Sequence, residues 1–404
     1  MIFFESGLMR HRVALREFAV WFCAFVFYVY ASVTSASSGA ASFVYADELF
    51  RVASGGDSLI LPVKILGQER LFLLDSGTGI TTFDAGLLDA VGARTRVVQT
   101  FDGSEFHSSE IFKAPQFQIG GLNADLDEVE VSNLRLSRQF VGKPIMGVIG
   151  LDLLRNYAIS IDYDRGEFRM HNLPLDRELA KGFRKPCVLT REPNGAILYN
   201  KLPGNVVEDI EPFLIDTGLS VSLGLKEELF DALVASGTMI NLKRQQVTGA
   251  VKTREVTTSD LVGFEFAGIK HPSLRCVRLK MNLIGQALLS RYHVTMDFPR
   301  REIWFRPGKR IGEPDPTDLV GIGVLLSEQN KVEVAEVQSD SLADKSGIRP
   351  NDEIVEINGE AATKYSLFQL RLRFTKSGEC RLKTRRDGEL QEHRFQLAPL
   401  KTAK

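Results

Sequence analysis

Two aspartates, Asp75 and Asp216, each close a short apolar run and each open an Asp-hydroxyl-Gly triplet. The first stretch reads LFLLDSGT from Leu71 to Thr78, the second PFLIDTG from Pro212 to Gly218. A carboxylate at the end of a buried strand is costly unless hydrogen-bond donors surround it. The hydroxyls of Ser76, Thr78 and Thr217 can donate, and Gly77 and Gly218 let backbone N–H groups come close. One such triplet alone would read as a tight turn. Two, each after FLLD or FLID, point to a pair that meets in space. Carboxylates brought that close cannot both ionise cheaply, so they share a proton. The ionised member can then activate a water against a carbonyl, and the protonated member can stabilise the oxyanion and protonate the leaving group. This chemistry needs no metal and no other cofactor.

The elements that would position the pair are legible as an internal repeat. After Asp75 the chain reads DSGTGITTFDAGLLDAVG, and after Asp216 DTGLSVSLGLKEELFDALVASG. Farther on, GVIGLDLLRNYAISIDYDRGEFRM from Gly147 matches NLIGQALLSRYHVTMDFPRREIWF from Asn282. Gly150 aligns with Gly285, Tyr157 with Tyr292 and Asp162 with Asp297 at one common offset. Two copies of a unit of roughly 130 residues therefore fill the middle of the chain. Within each copy, short alternating runs separated by turn residues predict strands, with one short helix per copy. Asp102-Gly103 and Thr248-Gly249 sit where hairpin turns are expected. If the copies pack about a pseudo-twofold axis, their equivalent strand ends meet there.

On these motifs the middle of the chain resembles the retropepsin-like, pepsin-related aspartic proteases, in the bacterial form with two lobes in one chain. The motifs are the two Asp-Ser/Thr-Gly triplets and the apolar-apolar-Gly pair Val148-Ile149-Gly150 and Leu283-Ile284-Gly285. The resemblance implies a catalytic dyad of Asp75 and Asp216. Ser76, Gly77, Thr78, Thr217 and Gly218 would support the catalytic loops. Hairpin flaps would carry Asp102 and Gly103 in one copy, Thr248 and Gly249 in the other. A peptide or protein would be the substrate. Leu219 departs from the family pattern, because it cannot offer the hydroxyl that Thr78 offers, and a less satisfied second loop would raise the proton affinity of Asp216.

Beyond a Pro- and Asp-rich stretch, GEPDPTD from Gly312, which reads as a linker, lies a final unit of about 80 residues. It resembles a PDZ domain through Gly321-Ile322-Gly323-Val324, SLADKSGI from Ser341, and NDEI from Asn351 leading to Ile357-Asn358-Gly359. By that resemblance, Gly321, Ile322, Gly323 and Val324 form a loop whose N–H groups capture the C-terminal carboxylate of a partner peptide. The expected fold class is therefore mainly β: two homologous β-barrel-like acid-protease lobes followed by a small α+β PDZ domain. The expected bounds are 47–172 and 173–311 for the lobes, 312–316 for a linker and 317–398 for the PDZ unit.

The N-terminus follows other rules. Arg10, Arg12 and Arg16 precede the apolar run from Phe18 to Ala31, and small residues follow. Basic, apolar, then small predicts a secretory signal within 1–46, hence an exported, periplasmic or secreted protein. The run is short for a membrane span of about 20 residues; an uncleaved N-terminal membrane anchor is the alternative. The net charge of −1 gives no electrostatic footprint for nucleic acid. Four cysteines, Cys23, Cys187, Cys276 and Cys380, form neither a disulfide framework nor a CxxC site. Cys187 and Cys276 could pair, but buried free thiols are the favoured reading. GDSL at Gly56–Leu59 lacks the D-x-x-H block its esterase chemistry needs, and no GxSxG, HExxH or phosphate loop is present. His107 and His293 read as surface or packing residues. The sequence thus supports an aspartic endopeptidase with a recruiting PDZ domain, or else a catalytically weak protease-fold scaffold acting through that domain.

Overall fold

The computed structural model describes residues 48–101, 106–171, 181–186, 188–189, 196–199, 212–248 and 253–398. The N-terminal apolar run, Cys187 and the hairpin residues Asp102, Gly103 and Gly249 lie outside this set. Among the described residues no helix is long and apolar enough to cross a membrane.

The duplication is written in the strand pairing. In the first lobe, Ile60–Ile65 pairs antiparallel with Gln68–Leu74, which runs parallel to Ile145–Ile149. That strand is antiparallel to Thr82–Asp84, which is parallel to Glu128–Ser132. The sheet ends with two antiparallel steps, to Phe106–Lys113 and Arg94–Phe101. In the second lobe the path is Ala196–Tyr199, Pro212–Asp216, Leu283–Gly285, Leu223–Lys226, Ser273–Leu279, Thr253–Val262 and Met239–Thr248. It takes the same steps in the same order: antiparallel, parallel, antiparallel, parallel, then antiparallel twice.

Side-chain alternation explains why these runs are strands. In Ile60–Ile65, Leu61, Val63 and Ile65 are buried while Lys64 faces solvent. Phe72, Phe83 and Phe117 stack edge to face inside the first lobe. Phe213, Leu223, Leu225 and Phe230 fill the second. Gly147 is fixed by this packing, since a Cβ there would enter the ring of Phe72.

The lobes join through a six-stranded sheet whose central pair is Ala158–Asp162 and Tyr292–Asp297. Ser160 opposes Thr295, its own repeat counterpart, with Ile159 opposite Met296 and Ile161 opposite Val294. Two equivalent residues that pair with each other lie on the symmetry axis. Cys276 is free and buried in the second lobe's own sheet, and Cys380 is free and buried in the C-terminal unit.

The C-terminal unit is an antiparallel sheet of Ile322–Leu326, Val332–Val337, Glu353–Ile357, Gly378–Arg386 and Glu389–Leu397, with Glu360–Ala361 beside it. Helix Leu367–Arg373 opens with a capping box of Ser366 and Gln369. Val324, Val334, Ile354, Leu370, Phe374 and Phe395 belong to a core of its own. The mainly β, two-lobed architecture with a small α+β unit is the one the sequence implied. The Pro- and Asp-rich connection is pinned rather than loose. Asp315 accepts from Arg291 Nη2 at 2.6 Å and from Arg275 N at 2.5 Å, and Arg291 is fully buried. Burial and the Arg291 charge together push His271, beside it, down to about 4.

Candidate active site

Asp75 and Asp216 stand at the ends of equivalent strands, Gln68–Leu74 and Pro212–Asp216, of the two lobe sheets. Asp75 N donates to Ile149 O at 3.0 Å, so the strand of the first apolar-apolar-Gly motif runs directly under the loop. In the second lobe Ile215 and Asp216 pair in register with Ile284 and Gly285. Gly150 and Gly285 are required by this crossing. A Cβ on Gly150 would come within 2.8 Å of the Ile80 carbonyl carbon, and one on Gly285 within 2.8 Å of Leu219 O.

Four hydrogen bonds cross between the loops in a symmetric lock. Ser76 N donates to Thr217 Oγ1 at 3.0 Å, and Thr217 N to Ser76 Oγ at 3.3 Å. Ser76 Oγ donates to Ile215 O at 2.9 Å, and Thr217 Oγ1 to Leu74 O at 3.1 Å. Ser76 and Thr217 are both buried. The lock brings each carboxyl against the other lobe's glycine. A Cβ on Gly77 would lie 2.5 Å from Asp216 Cγ, and one on Gly218 would lie 2.5 Å from Asp75 Cγ. The two aspartates are half-buried and in hydrogen-bonding reach of each other.

The donors around the carboxyls differ. Asp75 Oδ1 accepts from Gly77 N at 2.8 Å and Oδ2 from Thr78 Oγ1 at 2.9 Å. Asp216 Oδ1 accepts from Gly218 N and Leu219 N, both at 2.8 Å, and Oδ2 has no counterpart of the Thr78 bond. Leu219 thus fills one place with its backbone and leaves the hydroxyl's place empty. Burial, then the Asp75 charge and the Asp75 hydrogen bond, hold Asp216 well above the usual carboxylate range. Restoring a hydroxyl with Leu219→Thr is expected to lower that proton affinity. The alkaline limb of kcat/KM would move to lower pH, read from a pH–rate profile; an unmoved limb would show that the loop donor is irrelevant.

The structure also assigns partners that sequence reasoning missed. Thr81 Oγ1 donates to Asp152 Oδ1 at 2.7 Å and accepts from Gly150 N at 3.1 Å, fixing the first loop from below. The repeat counterparts of Thr81 and Asp152 are Ser222 and Ala287, and the Ser222 hydroxyl is buried without a partner. Comparing the two copies position by position would have shown that asymmetry. A polar chain runs down the first hairpin: His107 Nε2 meets Thr100 Oγ1 at 2.9 Å, Thr100 meets Ser109 at 2.6 Å, and Ser109 donates to the buried Glu130 at 2.8 Å. His107 is therefore part of a network. His293 stands between Asp162 Oδ1 and Asp164 Oδ2, 3.2 Å from each, a set whose composition could also hold a metal ion.

The strands that flank the expected flap tips pair with each other. Phe101 pairs with Phe106, and Thr248, the last residue of its strand, pairs with Thr253. A cavity of about 720 Å3 lies elsewhere, lined by Val52, Asp57, Arg310, Phe368 and Leu372 among others, and no dyad residue borders it.

Residues 313–384 match the family model of the PDZ domain. The C-terminal unit is a PDZ domain. A search of curated proteins found no match. Among solved structures, soybean basic 7S globulin is similar at 10% identity and a TM-score of 0.38, over 65% of this chain and 95% of that one. The aspartic proteinase from Irpex lacteus is similar at 12% identity and a TM-score of 0.40, over 65% and 98%.

In the PDZ domain, the predicted carboxylate loop is already engaged. Asp318 accepts from Val320 N at 2.8 Å, Gly321 N at 3.1 Å and Ile322 N at 2.9 Å. Gly323 and Val324 continue into the edge strand and pair with Glu336 and Val334.

Proposed function

We propose that the chain is an exported aspartic endopeptidase whose PDZ domain recruits the C-terminus of a substrate or partner. The observation that carries this reading is the carboxyl pair, held across the symmetry axis by the Ser76–Thr217 lock. The pair shares one proton, and the raised proton affinity of Asp216 assigns it the part of the acid in this reading. Asp75, whose oxygens receive the Gly77 N–H and the Thr78 hydroxyl, takes the part of the base.

A water between the two loses a proton to Asp75, and its oxygen bonds to the carbonyl carbon of the scissile amide. The Asp216 proton moves to the carbonyl oxygen, giving a neutral tetrahedral diol. In the second step the diol returns a proton to Asp216 and the amide nitrogen takes the one held by Asp75. The C–N bond breaks, and both carboxyls regain their starting states. The pair supplies acid and base in both steps with no covalent intermediate.

The test is cleavage of a peptide library by residues 48–404, followed by mass spectrometry from acid to neutral pH, with and without pepstatin. Pepstatin-sensitive internal cleavage supports the reading, and intact peptides throughout refute it. Leu219 favours a second reading, a weakly catalytic scaffold acting through the PDZ domain; binding of peptide C-termini with no cleavage in the same assay is its signature. Export is tested by the N-terminal sequence of the mature protein, since a start at Met1 or Met9 contradicts signal removal.

A further inference from the structure

A PDZ ligand adds as a strand beside the edge strand, between it and the long helix. Here those are Ile322–Leu326, the first strand of the sheet order, and Leu367–Arg373. Another part of this chain lies across both: helix Arg135–Val141 of the first lobe. Arg371 fastens it. One guanidinium nitrogen donates to Phe140 O and to Val324 O, each at 2.9 Å, and the guanidinium sits 4.4 Å from the centre of the Phe140 ring. At the C-terminal end of this helix Gly142 adopts a φ of 71°, and a Cβ there would come within 2.8 Å of Leu367 Cγ. Arg135 approaches Glu328 at 3.9 Å. Asp57, also from the first lobe, accepts from the Ser366 hydroxyl at 3.2 Å, next to the start of the PDZ helix. The Asp318 carboxylate, meanwhile, holds the N–H groups that a peptide carboxylate would seek.

We propose that the PDZ groove is occupied in cis, by helix Arg135–Val141 with Phe140 at its centre and by the Asp318 carboxylate, and that a peptide C-terminus binds only by displacing them. The proposal rests on the peptide-binding reading of the PDZ domain given above. The ligand's chemistry follows from what it replaces: a free terminal carboxylate in place of Asp318 and a large apolar side chain in place of Phe140. Because only the open fraction of molecules binds, the apparent Kd is the intrinsic value divided by that fraction. Weakening the latch from the lobe side, without touching the groove, therefore tightens binding.

The experiment uses residues 48–404 as wild type, as Phe140→Leu, and as Arg135→Glu combined with Phe140→Ala. The probe is a fluorescent pool of octapeptides with free carboxylates, randomised at the last four positions, with the amidated pool as control. Hydrogen exchange at the amides of 322–326 reports latch opening independently of any ligand, and the melting temperature reports folding. The expected result is at least tenfold tighter binding of the free-carboxylate pool by the double variant, an intermediate effect for Phe140→Leu, no gain for the amidated pool, and faster exchange. Equal binding and equal exchange in all three proteins would overturn the latch. Faster exchange with no binding of either pool would overturn the proposal through the peptide-binding reading on which it rests.

Discussion

Asp75→Asn and Asp216→Asn are each expected to lower kcat/KM for peptide cleavage by about 10³-fold or more. The double variant should be no slower than the worse single, because the two carboxyls act as one acid–base unit and losing either ends the cycle. Steady-state kinetics on one cleaved peptide checks both statements. Stability separates a catalytic from a structural role. The folded proton affinity of Asp216 is raised by burial and by Asp75, above that of an unfolded carboxyl, whose pKa is about 3.9. Its favourable contribution is complete below the unfolded value and is lost as pH rises through the raised folded value. At neutral pH the wild type therefore carries a cost that asparagine does not. Asp216→Asn should melt about 2 °C or more above wild type at pH 7, with the gap closing as pH falls toward 4. Dead and more stable at pH 7 is the signature of a catalytic acid. Dead and less stable at every pH would mean that Asp216 only braces the loop.

How much of this was legible depends on the range of each interaction. That Asp75 and Asp216 meet was legible because each sits in a local triplet and the triplet occurs twice, so the repeat itself marked the axis. The PDZ signature was legible for the same reason: Gly321–Val324 and Ile357–Gly359 are short, contiguous turns and strand ends. Leu219 was flagged correctly as a missing donor, but its backbone N–H does part of the work, and a sequence does not show which N–H groups converge on an oxygen. The hairpin tips expected at Asp102, Gly103 and Gly249 lie outside the described residues. The latch was not legible. The stretch LRLSRQFVGK from Leu134 reads as an ordinary short amphipathic helix, and its partner Arg371 lies far along the chain. Asp318 carried no signal either. It belongs to a Pro- and Asp-rich connection, and only its closeness to Val320, Gly321 and Ile322 makes it an internal carboxylate ligand. In each case the missing information was a tertiary contact between residues whose types are unremarkable.

Ser76→Ala is expected to cost about 2–4 kcal/mol of lobe stability, more than a surface serine could. The Ser76 hydroxyl donates to Ile215 O and accepts from Thr217 N. Ser76 has no exposed surface and Thr217 is 2% exposed, so neither orphaned backbone group can turn to water. Each buried group left without its partner costs about 1–3 kcal/mol. Thr217→Val should cost a similar amount, because it orphans Ser76 N and Leu74 O, the other half of the lock. The measurement is urea unfolding followed by Trp304, which is 6% exposed in the sheet shared by the lobes and is the sole tryptophan of residues 48–404. Ser76→Thr keeps the hydroxyl that the mirror position carries as Thr217, and should recover most of the loss. The two halves form one network, so Ser76→Ala with Thr217→Val should cost less than the sum of the singles, since loops already loosened by the first change admit water to the second. Catalysis should follow the lock: kcat falls with each single while KM holds, because the carboxyls lose their spacing before the cleft loses its walls. A cost below about 0.5 kcal/mol for both singles would mean that the loops are held by their strands alone.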